Sequence, residues 1–412
     1  MKAIRFIFLP IIILSLLISP ATAVTNSTKN IVASPMTLVA TVPAQVQIVG
    51  MLIRGKFIYL YGGSQGSVNS DGQVRAMDAA GATLWTLALD TGGEEIVTAG
   101  AIDPAGHLWL VGTASPSTIS PNSQPLATPT GVLNPEAVAT DPATSLRKDL
   151  TTLVLWEVDA AGLLVSTHSL DLSRSFIARS AVVTPSGIAI VGVIATTAGN
   201  AGFFIQTDLS GGISAPVIIG KSDTEFNAIS KQSAGFLLVG SSVDKISGKP
   251  LIGTRDAILL LVTPAGKVIS IVRSANSKSS RSWQSSTQSL LLAGDAVEDG
   301  VVTAVVTKLS AKLAMSWTSR FPSAGPALAI NAPISRFVVF ASNSSIDGLK
   351  SWKPTRPEVI ALGLDPKGSV QSAFSAKSLS RPIALGYSTP LGLVILGQAG
   401  QNSVSIFHVV TR

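Results

Sequence analysis

Three short segments place carboxylates near one another, and paired carboxylates can act as general acid and general base. The segments are Glu94-Glu95, Asp223-Thr-Glu225 and Asp256. A glycosidase-type centre needs two carboxyl groups about 5–10 Å apart. Each segment lies close to the start of a strand-like apolar run. The sequence alone leaves open whether two of these acids lie within that distance of each other. We therefore assign no catalytic residue and keep a carboxylate pair as an alternative.

One segment has the residue types of a binding surface. Lys350-Ser-Trp352-Lys353-Pro-Thr-Arg356 sets an aromatic ring among three cations. An indole ring can stack on a sugar, and a guanidinium can pair bidentately with a carboxylate. We predict a binding rim formed by Arg255, Lys350, Trp352, Lys353 and Arg356. The alternative interpretation is that Trp352 packs at the base of its own loop.

The composition argues against several other kinds of site. The chain of 412 residues has no cysteine and only three histidines, His107, His168 and His408. Cysteine-ligated zinc is therefore excluded, and we expect no metal site and no cofactor. His107 and His168 are expected in different repeat units, without the spacing of a catalytic triad. The formal charge is +7, but the basic residues are scattered, whereas a nucleic-acid site needs a dense basic stripe.

The first residues are typical of an export signal. Lys2 and Arg5 precede an apolar run of 13 residues from Phe6 to Ile18, and Ala21-Thr-Ala23 follows. This layout predicts a signal peptide over residues 1–23 with cleavage after Ala23. The apolar run is shorter than the roughly 20 residues that span a bilayer, although an uncleaved anchor is the alternative. We expect a secreted or cell-envelope protein without a membrane span after signal removal.

An internal repeat organises the rest of the chain. An apolar run of three or four residues that ends in a small residue occurs seven times, and the small residues are Gly62, Gly112, Gly192, Gly240, Gly294, Ala341 and Gly397. They lie 50, 80, 48, 54, 47 and 56 residues apart, so the second interval carries an insertion. Periods of this length are typical of propellers, whereas a leucine-rich or β-helical solenoid would need periods nearer about 20 to 30 residues.

A tight turn recurs in the same rhythm. Its copies are Asp78-Ala-Ala-Gly81, Asp159-Ala-Ala-Gly162, Asp208-Leu-Ser-Gly211, Thr263-Pro-Ala-Gly266, Leu309-Ser-Ala-Lys312 and Asp365-Pro-Lys-Gly368. Each copy follows an apolar run, which gives a unit of strand, turn, strong apolar strand, variable loop, strand, turn and strand. Four antiparallel strands repeated seven times predict an all-β, seven-bladed β-propeller.

The chain ends suggest how the ring closes. The seventh unit stops one strand short, and Met36–Val42 is a spare strand that we expect to complete it. Residues 24–35 would be a linker and 36–412 a single domain, with a Ser/Thr/Pro-rich loop insertion at 113–151. The blades would span about 45–92, 93–172, 173–221, 222–276, 277–325, 326–378, and 379–412 together with 36–42.

Two segments resemble known propeller repeats. Met77-Asp78-Ala-Ala-Gly-Ala-Thr-Leu-Trp85 resembles the repeat of pyrroloquinoline-quinone-type propellers, in which an Asp-x-x-Gly turn precedes a Leu-Trp strand. Asp256-Ala-Ile-Leu-Leu-Leu-Val-Thr-Pro-Ala-Gly266 is similar to the seven-bladed repeats of bacterial secreted proteins. The resemblance covers nearly all of residues 45–412 at the level of single repeats. It implies a fold and no activity, and the docking motif and acidic base of the quinone enzymes are not found.

These observations favour an exported, non-catalytic binding or scaffolding module of the cell envelope, with a protein or glycan as partner. The alternative is a secreted hydrolase or lyase that acts on polysaccharide through carboxylates at the channel mouth. The two differ in a simple way, because the enzyme requires acids that converge at the mouth. A mouth formed by small and neutral side chains favours binding.

Overall fold

The computed structural model describes residues 30–43, 46–65, 70–116, 146–400 and 403–410. Within these ranges the chain forms β-strands and no α-helix. The predicted signal peptide and most of the 113–151 insertion lie outside the described residues. In the described part, no helical segment has the length and hydropathy to cross a membrane.

The strands form seven antiparallel sheets, each running outward from a first strand at the centre. Blade 1 contains β4 (Val46–Arg54), β5 (Phe57–Gln65), β6 (Ser70–Met77) and β7 (Thr83–Leu89); blade 2 contains β8 (Glu95–Ile102), β9 (Leu108–Ala114), β10 (Thr152–Val158) and β11 (Leu164–Asp171). Blade 3 contains β12 (Phe176–Thr184), β13 (Gly187–Thr196), β14 (Gly199–Thr207) and β15 (Val217–Ile219); blade 4 contains β16 (Thr224–Gln232), β17 (Gly235–Ser242), β18 (Asp256–Val262) and β19 (Val268–Ser274).

The remaining three blades complete the ring. Blade 5 contains β20 (Ser280–Ser286), β21 (Leu291–Glu298), β22 (Val301–Leu309) and β23 (Met315–Pro322); blade 6 contains β24 (Leu328–Asn331), β25 (Arg336–Ser342), β27 (Glu358–Leu364) and β28 (Val370–Ala376); blade 7 contains β29 (Arg381–Ser388), β30 (Gly392–Gln398), β31 (Val404–Val409) and β3 (Thr37–Val42). The predicted seven-bladed propeller is confirmed.

Blade 7 combines both ends of the described chain. Strand β3 lies antiparallel to β31, with Thr37 opposite His408 and Val42 opposite Val404. The hydroxyls of Thr41 and Ser405 are 2.9 Å apart across this pair. The predicted closure by an amino-terminal strand is therefore confirmed, and the outer edge of β31 is covered.

The segment before β3 also attaches to blade 6. Strand β2 (Ser34–Pro35) pairs in parallel with β28, so that sheet has five strands where four were predicted. Strand β1 (Ile31–Val32) pairs in parallel with β26 (Leu349–Lys350), which belongs to the loop between β25 and β27. The described part of the expected linker is thus strand, and it joins blade 6 to blade 7.

The recurrent small residue has a steric cause. In six blades the inner strand contains a β-bulge at the same place, and glycine lies opposite the bulge. A Cβ on Gly192 would lie 1.9 Å from the carbonyl oxygen of Ile177, two residues before the bulged residue. The paired part of β24 in blade 6 has no bulge, and there the small residue is Ala341.

The Asp-x-x-Gly turns are built as the sequence indicates, with one correction. The carboxylate of Asp78 accepts the backbone N–H of Ala80 and Ala82, both at 2.9 Å. In blade 5 the turn runs over Ser310–Leu313, where the N–H of Leu313 donates to the carbonyl of Ser310, and not over Leu309–Lys312. The shift by one residue puts Leu313 at the positive-φ position that glycine occupies in other blades.

Candidate functional site

The first strands of all seven blades line a central channel of about 530 Å³, a volume in the range of small-molecule sites. Bulges turn single side chains away from the regular alternation of a strand, and the bulged residues of six blades line this channel: Val49, Thr98, Arg179, Asn227, Gln284 and Ile383. Among the described residues that line the channel there is no Asp or Glu. The lining is neutral or cationic.

Tyr61 reaches the channel from the second strand of blade 1. Gly50 of the inner strand makes this possible, since a Cβ there would lie 2.2 Å from the Tyr61 hydroxyl. Burial raises the pKa of Tyr61 to about 12, so the hydroxyl keeps its proton. Nothing in the sequence marks Tyr61 as a channel residue, because its position depends on contact through a neighbouring strand.

Asp256 serves the fold of its own loop. It is fully buried, and its Oδ2 lies 2.7 Å from Nη1 of Arg273, which is also buried. The carboxylate accepts the backbone N–H of Ile252 at 2.9 Å and of Gly253 at 2.8 Å. The described contacts of the carboxylate are all with this loop or with Arg273 of β19. Asp256 therefore stabilises the connection from β17 to β18.

Asp223 and Glu225 join a network with cations near the start of blade 4. Arg255 pairs with the carboxylate of Asp223 and donates to the Ser241 hydroxyl at 2.8 Å. That hydroxyl donates to Glu225 at 3.0 Å, and the other Glu225 oxygen lies 3.7 Å from Arg179. The three candidate acids of this region are thus each held by an arginine.

Asp295 is a further acid of this region, near Glu225. It lies inside β21, where no spacing marks it. Burial raises the pKa of Asp295, and the charge of Glu225 raises it further. The enzyme alternative requires a carboxyl group with a raised pKa. Among the described acids near Glu225, Asp295 fits that requirement best.

The predicted cations of blade 6 meet in one cleft of about 230 Å³, which we call the blade 6 cleft. Lys350, Trp352 and Lys353 line it together with Lys377 and Glu358. The three lysines are exposed. Arg356 lies beside them and donates from Nη2 to the carbonyl of Lys377 at 3.4 Å. Arg255 belongs to blade 4 and is not part of this cleft.

Trp352 is only 7% exposed. It packs in the apolar cluster of blades 5 and 6, against which Ile31 and Leu349 also lie. This position corresponds to the packing alternative, because a buried ring has no free face for a sugar. Trp352 Nε1 and Glu358 Oε1 are buried without a hydrogen-bond partner among the described residues.

A second rim feature combines three carboxylates between blades 1 and 2, and we call it the acidic triad. Oxygen atoms of Asp71, Asp90 and Glu95 lie within 4.8 Å of one another. Glu95 is 1% exposed. Burial raises the pKa of Glu95 and of Asp71, and the charge of Asp90 raises both further. Sequence reasoning noted Glu95 but neither Asp71, which belongs to β6, nor Asp90, which lies in the connection between β7 and β8.

His107 and His168 both lie in blade 2, contrary to the expectation of different units. His107 Nδ1 is 2.6 Å from Glu157 Oε1. The hydrogen bond with Glu157 raises the pKa of His107. The Ser166 hydroxyl donates to the other Glu157 oxygen, Oε2, at 2.9 Å, so Glu157 is hydrogen-bonded to both His107 and Ser166.

The comparisons with known proteins concern the fold. No family model matches the chain, and no curated protein matches it. Among solved structures, the WD40 domain of Neurospora crassa Pan2 is similar, with 8% identity and a TM-score of 0.51, over 93% of this chain and 98% of that one. Kuenenia stuttgartiensis hydrazine synthase is similar with 10% identity and a TM-score of 0.51, over 90% of this chain and 98% of that one. At these identities the likeness supports the β-propeller fold alone.

Proposed function

We propose that the chain is exported and acts as a non-catalytic binding module whose partner docks on the rim with the long loops. The observation that carries this proposal is the blade 6 cleft, where Lys350, Lys353 and Lys377 are exposed around one concave surface. Arg356 extends the same positive surface. Like charges gathered at one cleft attract partners of opposite charge and speed their association.

The partner that fits this cleft is an acidic protein segment. Trp352 is buried, so the site lacks the stacking face that sugar recognition commonly uses. Lysines act as flexible point charges and suit carboxylates presented in several geometries. An acidic glycan is the competing partner and is one outcome of the experiment below.

The absence of catalysis is supported by the channel. A glycosidase or lyase would place carboxylates at its mouth, but the described lining residues contain none. The candidate acids Asp223, Glu225 and Asp256 are each paired with an arginine. The polysaccharide-acting enzyme stays as the alternative because of Asp295, and hydrolysis that is abolished by Asp295→Asn would support it.

The docking proposal is tested by charge reversal. The variant K350E/K353E/K377E is compared with K267E/K312E/K367E, which makes the same charge change at exposed lysines of the turns at the other ends of the blades. Binding to poly-L-glutamate and to polygalacturonate is measured at low and at physiological salt. We expect the wild type and the second variant to bind poly-L-glutamate, with a loss of at least roughly tenfold in the first variant.

Three results would contradict this proposal. They are equal binding by both triple variants, no salt-dependent binding by the wild type, or binding to polygalacturonate alone. The export part is tested separately by expressing the full chain with its own amino terminus. Mass spectrometry of the secreted product should show a first residue of Val24, and an intact Met1 in the cell fraction would contradict export with cleavage.

A further inference from the structure

We propose that the acidic triad, Asp71, Asp90 and Glu95, binds one Ca²⁺ ion at the rim between blades 1 and 2. The three residues come from separate pieces of chain, namely β6, the connection between the blades, and the first residue of β8. Their ligand oxygens lie within 4.8 Å of one another. Separations of this size are close to those between oxygens bound to one ion with bonds of 2.3–2.6 Å.

The observation that points to a ligand is the state of the Glu95 carboxylate. Its Oε1 accepts the backbone N–H of Thr91 at 3.1 Å and of Gly93 at 3.0 Å. Its Oε2 is buried, and no described donor reaches it. Asp71 Oδ1 is likewise buried and without a donor. A buried carboxylate oxygen without a partner is costly, and a cation bound by the three carboxylates would offset that cost.

Arg147, which contacts Glu94 next to the triad, does not remove the need for a cation. Arg147 pairs with Asp149 and lies 3.6 Å from Glu94, so its described ion pairs are with acids outside the triad. Three carboxylates that converge without a described positive partner repel one another. A divalent ion would replace this repulsion by attraction.

The chemistry of the ligand atoms favours Ca²⁺ over other cations. The set contains only carboxylate oxygens, which are the ligands of hard cations, and neither imidazole nor thiolate, which zinc prefers. Two of the three ligands are fixed in strands, whereas Asp90 is exposed, which leaves an open side for water ligands. Ca²⁺ accepts such irregular arrangements, whereas Mg²⁺ demands a near-ideal octahedron.

The ion would also have a mechanical role. Glu95 opens the inner strand of blade 2, while Asp71 belongs to the third strand of blade 1. Binding to both would fasten the two blades at the rim. A ligand that binds the folded chain alone raises its stability by mass action.

The experiment uses the full chain after treatment with EDTA and dialysis, with CaCl₂ and MgCl₂ as the probes. Calorimetric titration should show one Ca²⁺ site in the wild type. Asp71→Asn and Glu95→Gln should each weaken it by roughly tenfold or more, since affinity follows the number of charged ligands. Asp299→Asn makes the same charge change at an exposed turn of blade 5 and should leave the Ca²⁺ affinity unaltered.

Thermal melting separates ion binding from a purely structural role of these acids. Saturating Ca²⁺ should raise the melting temperature of the wild type and of Asp299→Asn by roughly 2 °C or more. In EDTA, Asp71→Asn should melt no lower than the wild type, because it relieves repulsion, and it should lose the rise with Ca²⁺. The proposal is overturned by the absence of a saturable heat, by a preference for Mg²⁺, or by equal affinity in Asp71→Asn and the wild type. It does not depend on the blade 6 cleft.

Discussion

At the scale of single residues, the charge pairs of blade 4 differ in what they contribute. Asp256→Ala leaves the buried Arg273 without its counter-charge, so we expect a loss of about 3–5 kcal/mol in the free energy of unfolding. Asp223→Ala removes the partner of the more accessible Arg255 and should cost less than about 1 kcal/mol. Urea denaturation of both variants measures the difference. An Asp256→Ala variant as stable as Asp223→Ala would show that Asp256 does not hold its loop.

Asp244 makes the stability depend on pH. Burial alone would raise the pKa of Asp244, but hydrogen bonds from the Ser222 hydroxyl, the Lys221 N–H and the Thr224 hydroxyl outweigh it and lower the pKa well below its usual range. The folded chain then binds fewer protons than the unfolded chain at acid pH. The contribution of Asp244 to stability is therefore complete above an unfolded pKa of about 3.9 and is lost as the pH falls.

The comparison of wild type with Asp244→Asn checks this dependence. The wild type should be more stable at pH 6, and the difference in the free energy of unfolding should shrink steadily as the pH falls below about 4. A difference that stays constant between pH 6 and pH 3 would show that the ionised carboxylate is not the source of the stability.

At this scale the sequence identified charged residues of a binding surface, but not which side chains contact one another. The cations Lys350, Lys353 and Arg356 were predicted as a group, and the first two line one cleft. The sequence left open whether Trp352 binds a ligand or packs at the base of its loop, and the ring lies in the cluster against which Ile31 of β1 also packs. Asp71 and Asp90 were missed for a similar reason, because nothing in the spacing of two isolated acids shows that the blades bring them together.

At the scale of the elements, the bulge in the inner strand requires the glycine that lies opposite it. Gly192→Ala would drive a Cβ into the carbonyl oxygen of Ile177. We expect it to lower the free energy of unfolding by about 1–3 kcal/mol, as overpacking does. Ala341→Gly, at the equivalent position of blade 6, should cost about 0.5–1 kcal/mol through chain entropy alone. Urea denaturation distinguishes the two, and an unaltered Gly192→Ala variant would contradict the steric explanation.

The recurrence of this glycine was visible in the sequence, but its cause was not. A pattern of apolar residues followed by glycine indicates a strand, whereas the crowding that requires the glycine comes from the bulge of the neighbouring strand. The turn of blade 5 was also predicted only in part from the sequence. Without Asp and Gly as markers, Ser310–Leu313 was placed one residue too early, since Leu313 is not a residue expected at positive φ.

At the scale of the whole molecule, the repeat rhythm was enough to predict the number of blades and the closure. Both follow from periodicity along the chain, which sequence carries directly. The parallel pairing of β1 and β2 with blade 6 was not predicted, because strands of two residues leave no periodic signal. The consequence is that the amino-terminal segment bridges two blades and covers the outer edge of the last one.

The pairing of the amino-terminal strands with blades 6 and 7 predicts that the stability of the ring depends on these strands. A chain that begins at residue 43 lacks β3, which exposes the edge of β31 and removes Met36 and Val42 from the clusters that join blade 7 to its neighbours. We expect a lower melting temperature and a tendency to aggregate, because an open sheet edge can pair with another chain. A chain that begins at residue 36 keeps β3 and loses only β1 and β2, so it should lie between the shorter chain and the full one. Melting curves and light scattering of the three chains measure this order, and a chain from residue 43 that melts like the full one would mean that the ring closes without β3.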